Sequence, residues 1–295
     1  MIVRVLGSAA GGGVPQWNCG CANCAAARRG DRPRRTQSSF AFSEDGKRFW
    51  LVNVSPDIAL QIEAYAPLQP SGLRGTPIAG MLATDANVDH LGGLAVLRQD
   101  GAHHFELYSS SAVSDIARTQ PAFAPFRAAP HRWHAVASGE SFRLGEHLHV
   151  RVVPVAGLTP GYDGRRSVAD AVVAYEVSDE TSRKVVLFAP VFAAMEEPLR
   201  AAILRSDVAL LDGSFWSDDE LGELGVPKAA QSLGHLPVGG EAGSLSALRS
   251  LPKQKCVGYV HLNNSTPLLD PQSAAAGQVA AAGAFVAWDG MEIQL

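Results

Sequence analysis

Short runs of apolar and β-branched residues, bounded by Gly, Pro, Asp or Ser, recur along the chain. Such runs are typical of strands, because β-branched and aromatic side chains pack well on a pleated surface. They predict strands at Ile2–Leu6, Ser38–Ser43, Phe49–Val54, Ile78–Ala83, His149–Val155, Val172–Val177, Lys184–Ala189, Val208–Leu211 and Val257–His261.

Stretches with helical spacing of apolar residues lie between these runs. They predict helices at Asp57–Ala64, Leu91–Gln99, Ala112–Thr119, Met195–Leu204, Gly240–Ser250 and Pro271–Ala281. Residues 120–135 contain three prolines and are predicted to be irregular. Strands come first and then mix with helices, which disfavours a doubly wound sheet. The pattern favours an α/β protein of the α+β kind, with two sheets flanked by helices in a single domain over residues 1–295.

Composition narrows the class of protein. The chain has 295 residues, of which 46% are hydrophobic, enough for a large core. Its net charge of −4 gives no electrostatic case for binding nucleic acid or an anionic membrane. The chain starts with a strand-like run rather than a signal peptide, and no apolar stretch approaches the ~20 residues that span a bilayer. We therefore expect a soluble, cytoplasmic protein without a membrane segment.

A polar loop between a predicted strand and a predicted helix reads Thr84-Asp85-Ala86-Asn87-Val88-Asp89-His90-Leu91-Gly92-Gly93. It resembles the H-x-H-x-D-H signature of the metallo-β-lactamase superfamily, with Asp85 and Asn87 replacing the first two histidines. The resemblance implies an αββα sandwich. In that superfamily the first two histidines hold one metal ion and the Asp-His pair holds a second, so Asp89 and His90 would retain half of a two-metal site. The alternative is an N-cap Asp beside an exposed His.

Two later strand ends carry further candidate ligands in the order that the superfamily uses. Asp212 ends an apolar strand, and His261 ends another. The resemblance implies that Asp89, His90, Asp212 and His261 together form one metal site. Taken singly, Asp212 is also explained as a turn residue before a glycine, and His261 as a half-buried histidine.

The three histidines that the superfamily uses for its other metal site are all missing from this sequence. Asp85 and Asn87 stand at two of its positions, and Val155–Gly161, where the third is expected, contains no His. We interpret Asp85 and Asn87 as residues that hydrogen-bond a substrate; drift in an unused site is the alternative. His235 resembles a superfamily G-H motif, which suggests an acid–base role near the metal, unless it is only a loop histidine.

Three cysteines, Cys19, Cys21 and Cys24, form a C-x-C-x-x-C loop. Thiolates at this spacing can surround a tetrahedral Zn²⁺, and a closed thiolate site is structural rather than catalytic. Without a secretion signal, clustered cysteines favour metal over disulfides. The fourth ligand stays open between a distant His and Cys256. Gln16 and Trp17, just before the cysteines, are predicted to line the mouth of the metal cleft and contact substrate, although Trp17 packing on its own loop is an alternative.

These motifs together resemble the pyrroloquinoline quinone (PQQ) biosynthesis protein B family along the whole chain. The matching segments are the opening G-S-A-A-G-G-G-V-P-Q-W-N-C-x-C-x-x-C, Asn53–Asp57, Asp85–His90, Leu211–Trp216, Gly234-His235 and His261–Asn264. The resemblance implies a step in making PQQ, a cofactor built from a Glu and a Tyr of a precursor peptide. The cysteine loop also resembles the structural zinc loop of superfamily phosphodiesterases, whose fourth ligand, a His, is replaced here by Asn264.

Chemistry favours an oxidative step. Hydrolases of the superfamily use two metals to clamp attacking and leaving oxygens. One metal held by two His and a carboxylate is typical of non-haem Fe(II) sites. If Asp89 or Asp212 leaves the metal, His90, His261 and the other Asp form such a triad. The resemblance implies one of two roles, an iron-dependent hydroxylase that uses O₂ on the tyrosine ring of a Glu-Tyr-derived PQQ precursor, or a carrier. This ligand set favours the first, so we predict an oxidoreductase. The alternatives are a non-catalytic carrier or transport helper for PQQ, and a residual metal-dependent hydrolase.

Overall fold

Two mixed β-sheets form the centre of the computed structural model, which describes residues 1–98, 104–127, 130–249 and 256–295. Within those residues the first sheet consists, in spatial order, of β14 (Glu292–Gln294), β1 (Ile2–Gly7), β2 (Ser39–Ser43), β3 (Phe49–Val52), β4 (Ile78–Leu82), β5 (Glu106–Ser109) and β6 (Arg132–Ala135). Neighbouring strands from β14 to β3 are antiparallel, whereas those from β3 to β6 are parallel.

The second sheet repeats this arrangement. Its described strands, in spatial order, are β13 (Ala284–Val286), β12 (Cys256–Val260), β11 (Val208–Asp212), β10 (Lys184–Ala189), β9 (Val173–Asp179), β8 (Leu148–Pro154) and β7 (Ser141–Leu144). Neighbours from β7 to β10 are antiparallel, and those from β10 to β13 are parallel. Parallel neighbours need a crossover, which is why helices separate the strands in the parallel half of each sheet.

The helices of the described residues are α1 (Ala22–Arg29), α2 (Ile58–Glu63), α3 (Val88–Leu91), α4 (Leu94–Leu97), α5 (Ser111–Arg118), α6 (Glu197–Arg205), α7 (Ser244–Leu248) and α8 (Ala274–Ala281). Across that part of the chain, none of them is both long and apolar enough to cross a membrane.

Alternation along the strands divides the buried side chains among three layers. In β2, Phe40 and Phe42 pack between the sheets, whereas Ala41 packs with the helices outside the first sheet. In β10, Phe188 joins the inner layer and Leu187 packs with the helices outside the second sheet. The Phe188 ring centroid lies 5.4 Å from that of Phe40 and 5.7 Å from that of Phe42. This period of two produces the helix–sheet–sheet–helix layering, which confirms the predicted αββα sandwich.

Several short elements are absent from the prediction, namely β5, β6, β7, β13, β14 and α1. The expectation that residues 120–135 are irregular is wrong over Arg132–Ala135, which forms β6. That strand lies at a sheet edge with no buried side chain, so it lacks the apolar signal of an inner strand. Helix α1 is alanine-rich and has no large apolar side chain to mark its buried face. The predicted helix ends at Gln99 and Ser250 lie outside the described residues.

The strands that carry the candidate ligands end where the two sheets meet. Strand β11 ends at Asp212, and its parallel neighbour β12 ends one residue before His261. At the end of β4, the Thr84 carbonyl accepts from Val173 N of the second sheet at 2.8 Å. The carboxyl ends of parallel strands from both sheets are thereby brought to one crevice, a common place for ligand sites in α/β proteins.

Candidate metal centre

Asp89, His90 and His261 form a cluster at this crevice. Asp89 and His90 lie inside α3, not in a turn before a helix as the sequence predicted. The Asp89 Oδ2 atom lies 3.2 Å from His261 Nε2 and 3.8 Å from His90 Nε2. Two imidazole nitrogens and one carboxylate oxygen therefore face a common point, although they come from opposite sheets.

A buried carboxylate orients His90. The ring is fully buried, and its Nδ1 lies 2.6 Å from Asp85 Oδ2. A proton on Nδ1, donated to Asp85, leaves the lone pair on Nε2, which is how metal-binding histidines are commonly held. Among the described residues, His90 Nε2 is buried and has no hydrogen-bond partner. Leaving a buried nitrogen unpaired costs about 1–3 kcal/mol, so the donor set fits a metal ion that would satisfy it.

Ser214 holds His261 from the other side. Its Oγ lies 2.7 Å from His261 Nδ1 and 2.9 Å from the His261 carbonyl oxygen. The backbone of His261 has φ of 56°, a left-handed conformation that is costly for a residue with a side chain. Together these features turn Nε2 toward Asp89. Ser214 was not predicted to be functional, although its position two residues after Asp212, at a strand end, could have indicated it.

Asp212 pairs with His235 instead of completing the first cluster. Its Oδ2 lies 2.7 Å from His235 Nδ1, and its Oδ1 accepts from the Ser214 backbone N–H at 2.9 Å and hydroxyl at 2.6 Å. Asp212, His235 and His261 form a second group that shares His261 with the first. Three of the four predicted ligands thus lie together, and Asp212 lies beside them with both carboxylate oxygens already accepting hydrogen bonds.

The charges at the centre suit a cation. Burial raises the pKa of Asp85, Asp89 and Asp212, but the neighbouring histidines outweigh it and hold each pKa below its ordinary value. Burial lowers the pKa of His90, yet Asp85 and Asp89 raise it to about 9. The carboxylates therefore stay ionised. A divalent ion bound here would take the place of the Nε2 proton that the raised pKa of His90 favours, leaving the proton that Nδ1 donates to Asp85.

Gly93 lets the helix that carries the ligands pack closely against the preceding segment. A Cβ at Gly93 would lie 2.3 Å from the Ser55 carbonyl oxygen and 2.6 Å from Val54 Cγ1. The Gly93 N–H donates to the Val54 carbonyl at 2.9 Å, and Val54 N–H donates to the His90 carbonyl. The D-H-L-G-G sequence therefore ends in glycine because backbone, rather than a side chain, must occupy this space.

Asp85 and Asn87 occupy different environments, although the same role was predicted for both. Asp85 is fully buried, and its Oδ1 accepts from Asn87 N at 2.9 Å and Nδ2 at 2.8 Å. Its Oδ2 accepts from Thr84 Oγ1 and faces His90. Because both oxygens are engaged inside the protein, Asp85 has no oxygen left for a substrate and contacts His90 instead.

The three cysteines of the loop also come together. The Sγ atoms of Cys19, Cys21 and Cys24 all lie within 4.8 Å of one another, with Cys21 immediately before α1. Burial raises the pKa of the Cys24 thiol to about 11, and the neighbouring Cys21 acts in the same direction. The side chain that reaches this cluster from across the chain is Asn264, whose Nδ2 lies 3.1 Å from Cys19 Sγ. Cys256, the cysteine considered as a fourth ligand, is exposed at the start of β12 and is not part of the cluster.

Comparison with known proteins places this geometry in a family. The profile of the β-lactamase superfamily domain matches residues 48–261. The chain is 36% identical to coenzyme PQQ synthesis protein B of Pseudomonas protegens, covering 100% of both chains, and 39% identical to the protein of that name from Rhizobium meliloti, covering 99% of this chain and 97% of that one. The chain belongs to the coenzyme PQQ synthesis protein B family. A solved structure, zinc-bound PqqB from Methylobacterium extorquens, matches with a TM-score of 0.93 at 34% identity and covers 100% of both chains.

A cavity of about 230 Å³ opens beside the metal centre in this member of the family. Asp89, His235 and His261 line it, together with Asn87. The predicted substrate contacts Gln16 and Trp17 are not among the described residues that line it, and the Trp17 side chain is 85% exposed. The physical reason is that Arg28 of α1 donates to the carbonyl of Gln16, which holds this loop against the unpredicted helix.

Proposed function

We propose that the protein oxidises the tyrosine ring of a Glu- and Tyr-derived precursor during synthesis of PQQ. The name coenzyme PQQ synthesis protein B, carried by its relatives, supports the pathway. One observation supports this class of reaction: His90, His261 and Asp89 lie together, and the buried Nε2 of His90 has no hydrogen-bond partner among the described residues. Two histidines and one carboxylate on one side of a site, with open positions, are typical of non-haem Fe(II) oxygenases.

Residues 85 and 87 favour a one-metal reaction over hydrolysis. Asp85 is buried and engaged with His90, and Asn87 donates to Asp85. Neither residue supplies the imidazole that a second metal site would need. Hydrolases of the superfamily use two metals to hold the attacking and leaving oxygens, so these residues favour a reaction at one metal.

The proposed hydroxylation must account for both oxygen atoms of O₂ and for its electrons. Hydroxylation inserts one oxygen atom of O₂ into a ring C–H bond and releases the other as water, which consumes two electrons and two protons. Fe(II) at the cluster would supply the redox chemistry with O₂ that this step requires. The protein must therefore receive electrons from an external reductant.

The protein's own residues orient the ligands and move protons. Asp85 holds His90 in the tautomer that leaves Nε2 free, and Ser214 has the same effect on His261. His235 lines the cavity, and its Nδ1 is held by Asp212. The other ring nitrogen of His235 is then the one available to exchange a proton with a phenol in the cavity.

We also propose that Cys19, Cys21 and Cys24 bind a structural Zn²⁺ that takes no part in the reaction. Three converging sulfurs suit tetrahedral zinc. The zinc-bound state of the Methylobacterium extorquens relative supports zinc as one metal of the protein.

An oxygen-dependence assay tests the proposal. Protein stripped of metal and loaded anaerobically with Fe(II) is mixed with a synthetic cross-linked Glu-Tyr, then given ¹⁸O₂ and ascorbate as electron donor. We expect a product with one added oxygen that carries ¹⁸O. Asp89→Ala and His261→Ala should abolish it, whereas Cys256→Ser, an exposed cysteine outside both clusters, should retain it.

Two other outcomes would contradict the proposal. Metal-dependent cleavage without O₂ would indicate a hydrolase, and tight binding without turnover would indicate a carrier. Zinc found in protein as purified decides nothing between them, because Zn²⁺ binds nitrogen and oxygen ligands more tightly than Fe²⁺ and displaces it.

A further inference from the structure

We infer that Arg165 binds a carboxylate of the molecule that occupies the cavity beside Asp89 and His261. The inference rests on the proposed function for the identity of that molecule. Arg165 lines the cavity. Among the described residues that line it, Arg165 is the one arginine or lysine, and Asp89 is the one acid. A ligand in the cavity therefore meets the candidate metal centre on one side and a permanently charged guanidinium on another.

The guanidinium of Arg165 is uncommitted. Among the described residues it has neither an ion pair nor a hydrogen bond. The next residue, Arg166, is different: its Nη2 lies 2.6 Å from Asp163 Oδ2 and its Nε donates to the Asp163 carbonyl. Two adjacent exposed arginines thus differ in whether a partner within the protein satisfies the guanidinium. A guanidinium presents a planar fork of donors that matches a carboxylate, so the free one is suited to an incoming acid.

The loop that carries Arg165 is fixed in place before any ligand arrives. Thr159 N–H donates to the Arg166 carbonyl at 2.9 Å, and Arg166 N–H donates back to Thr159 Oγ1 at 2.9 Å. The Tyr162 hydroxyl donates to the carbonyl of Ala86, within the loop that leads to the metal ligands. Arg165 itself has φ of 50°, a left-handed conformation that a side-chain-bearing residue rarely adopts. Strained backbone of this kind commonly lies at ligand sites.

Gly161 supplies the space in which the guanidinium lies. A Cβ at this position would come within 3.1 Å of Arg165 Nη1. Asn87 and Asn263 also line this cavity and add no charge to it. A Glu-Tyr-derived precursor has carboxylates as well as a phenol, so a carboxylate held by Arg165 would orient such a molecule relative to the cluster. The cavity should then discriminate against simple phenols.

Ligand binding without turnover tests the inference. Calorimetric titrations of zinc-loaded protein would use the dipeptide Glu-Tyr, its C-terminal amide, Gln-Tyr and PQQ. We expect removal of one carboxylate from the dipeptide to weaken binding to the native protein about 10- to 100-fold, the usual effect of losing a hydrogen-bonded charge. The same removal should have little effect in Arg165→Gln, and PQQ should bind that variant correspondingly weakly.

Two variants separate charge recognition from folding. Arg165→Gly suits the left-handed backbone and should fold at least as well as the native protein, yet it should bind the acids as weakly as Arg165→Gln. Arg166→Gln removes the same charge one residue away and should bind like the native protein. If Arg165→Gln and Arg165→Gly bind Glu-Tyr and PQQ as tightly as the native protein, or if the native protein binds neither, the inference is wrong. Because these titrations use neither iron nor O₂, Arg165-dependent binding without oxidation would count against the proposed reaction alone.

Discussion

The Nδ1 atom of His90 lies 2.6 Å from Asp85 Oδ2. Asp85 stands where the superfamily signature has a metal-binding histidine, and here it orients His90 instead. Asp85→Asn should weaken binding of Mn²⁺ or Zn²⁺ at the cluster about 10- to 100-fold, because an amide cannot fix the Nδ1 proton as a carboxylate does. A competitive titration with a chelating dye measures this affinity. The exposed acid Asp31 provides the control Asp31→Asn, and equal affinities in the two variants would show that Asp85 has no such role.

Loss of one thiol should release one zinc ion without affecting the other site. In small thiolate domains zinc contributes ~10 kcal/mol or more to folding, but a chain with a large core of its own should depend on it less. We expect Cys21→Ser to lower the zinc content by about one ion per chain and to reduce the melting temperature, while iron at the cluster is retained. Metal analysis and thermal denaturation check both points, with Cys256→Ser as the matched control. A variant that kept its zinc and stability but lost turnover would assign the cysteines to the reaction instead.

Asn264 is expected to complete the thiolate site. Its Nδ2 is 3.1 Å from Cys19 Sγ, and the oxygen and nitrogen of an amide are exchanged by a simple flip of the group. Asn264→Ala should therefore lower zinc affinity, and Asn264→His should restore it by providing a common zinc ligand. The visible spectrum of the Co²⁺-substituted protein reports the ligand set directly. Asn18→Ala, an exposed asparagine in the same loop, is the control. An unchanged spectrum in Asn264→Ala would exclude Asn264 as a ligand.

Two glycine-to-alanine substitutions should act in opposite directions. Gly93→Ala places a Cβ 2.3 Å from the Ser55 carbonyl oxygen, so we expect it to lower the free energy of unfolding by about 1–3 kcal/mol. Gly277 lies in α8 with no heavy atom near its added Cβ, and Gly277→Ala should raise that free energy by about 0.5–1 kcal/mol. Urea denaturation measures both. Equal stabilities would mean that the turn between α3 and α4 accommodates the methyl group.

Asp179 should make stability fall in acid. Burial raises the pKa of its carboxyl, but the Thr181 N–H and the Ser182 hydroxyl, both at 2.9 Å, outweigh this and lower the pKa below its ordinary value. A depressed pKa contributes stability that is complete above the unfolded value of about 3.9 and is lost as the pH falls through the folded value. Asp179→Asn should be less stable than the native protein at pH 7, and the difference should shrink below about pH 4. A difference that persisted at low pH would assign the effect to packing rather than charge.

Inner strands and the ligands at their ends were predictable, because burial on both faces leaves a continuous apolar run that stops at a polar residue. Strand β11, which ends at Asp212, is fully buried and shows this pattern. Edge strand β6 has no buried side chain and gave no such signal. The pairing of Asp212 with His235 was not predictable, because the two residues lie 23 positions apart and meet only through tertiary packing. Arg165 carried no motif, and its place in the cavity and its lack of an internal partner, which distinguish it from Arg166, are visible only in the structure.

Phe188 lies between the sheets against Phe40 and Phe42, while the cluster takes Asp89 from one sheet and His261, 172 positions later, from the other. We therefore expect the thickness of this aromatic layer to influence the distance between Asp89 and His261. Bonds from zinc to imidazole nitrogen or carboxylate oxygen are only about 2.0–2.2 Å long, so small changes in that thickness alter which ions fit. We therefore expect substitutions in this buried layer to change which ion binds, even though none of its side chains belongs to the cluster.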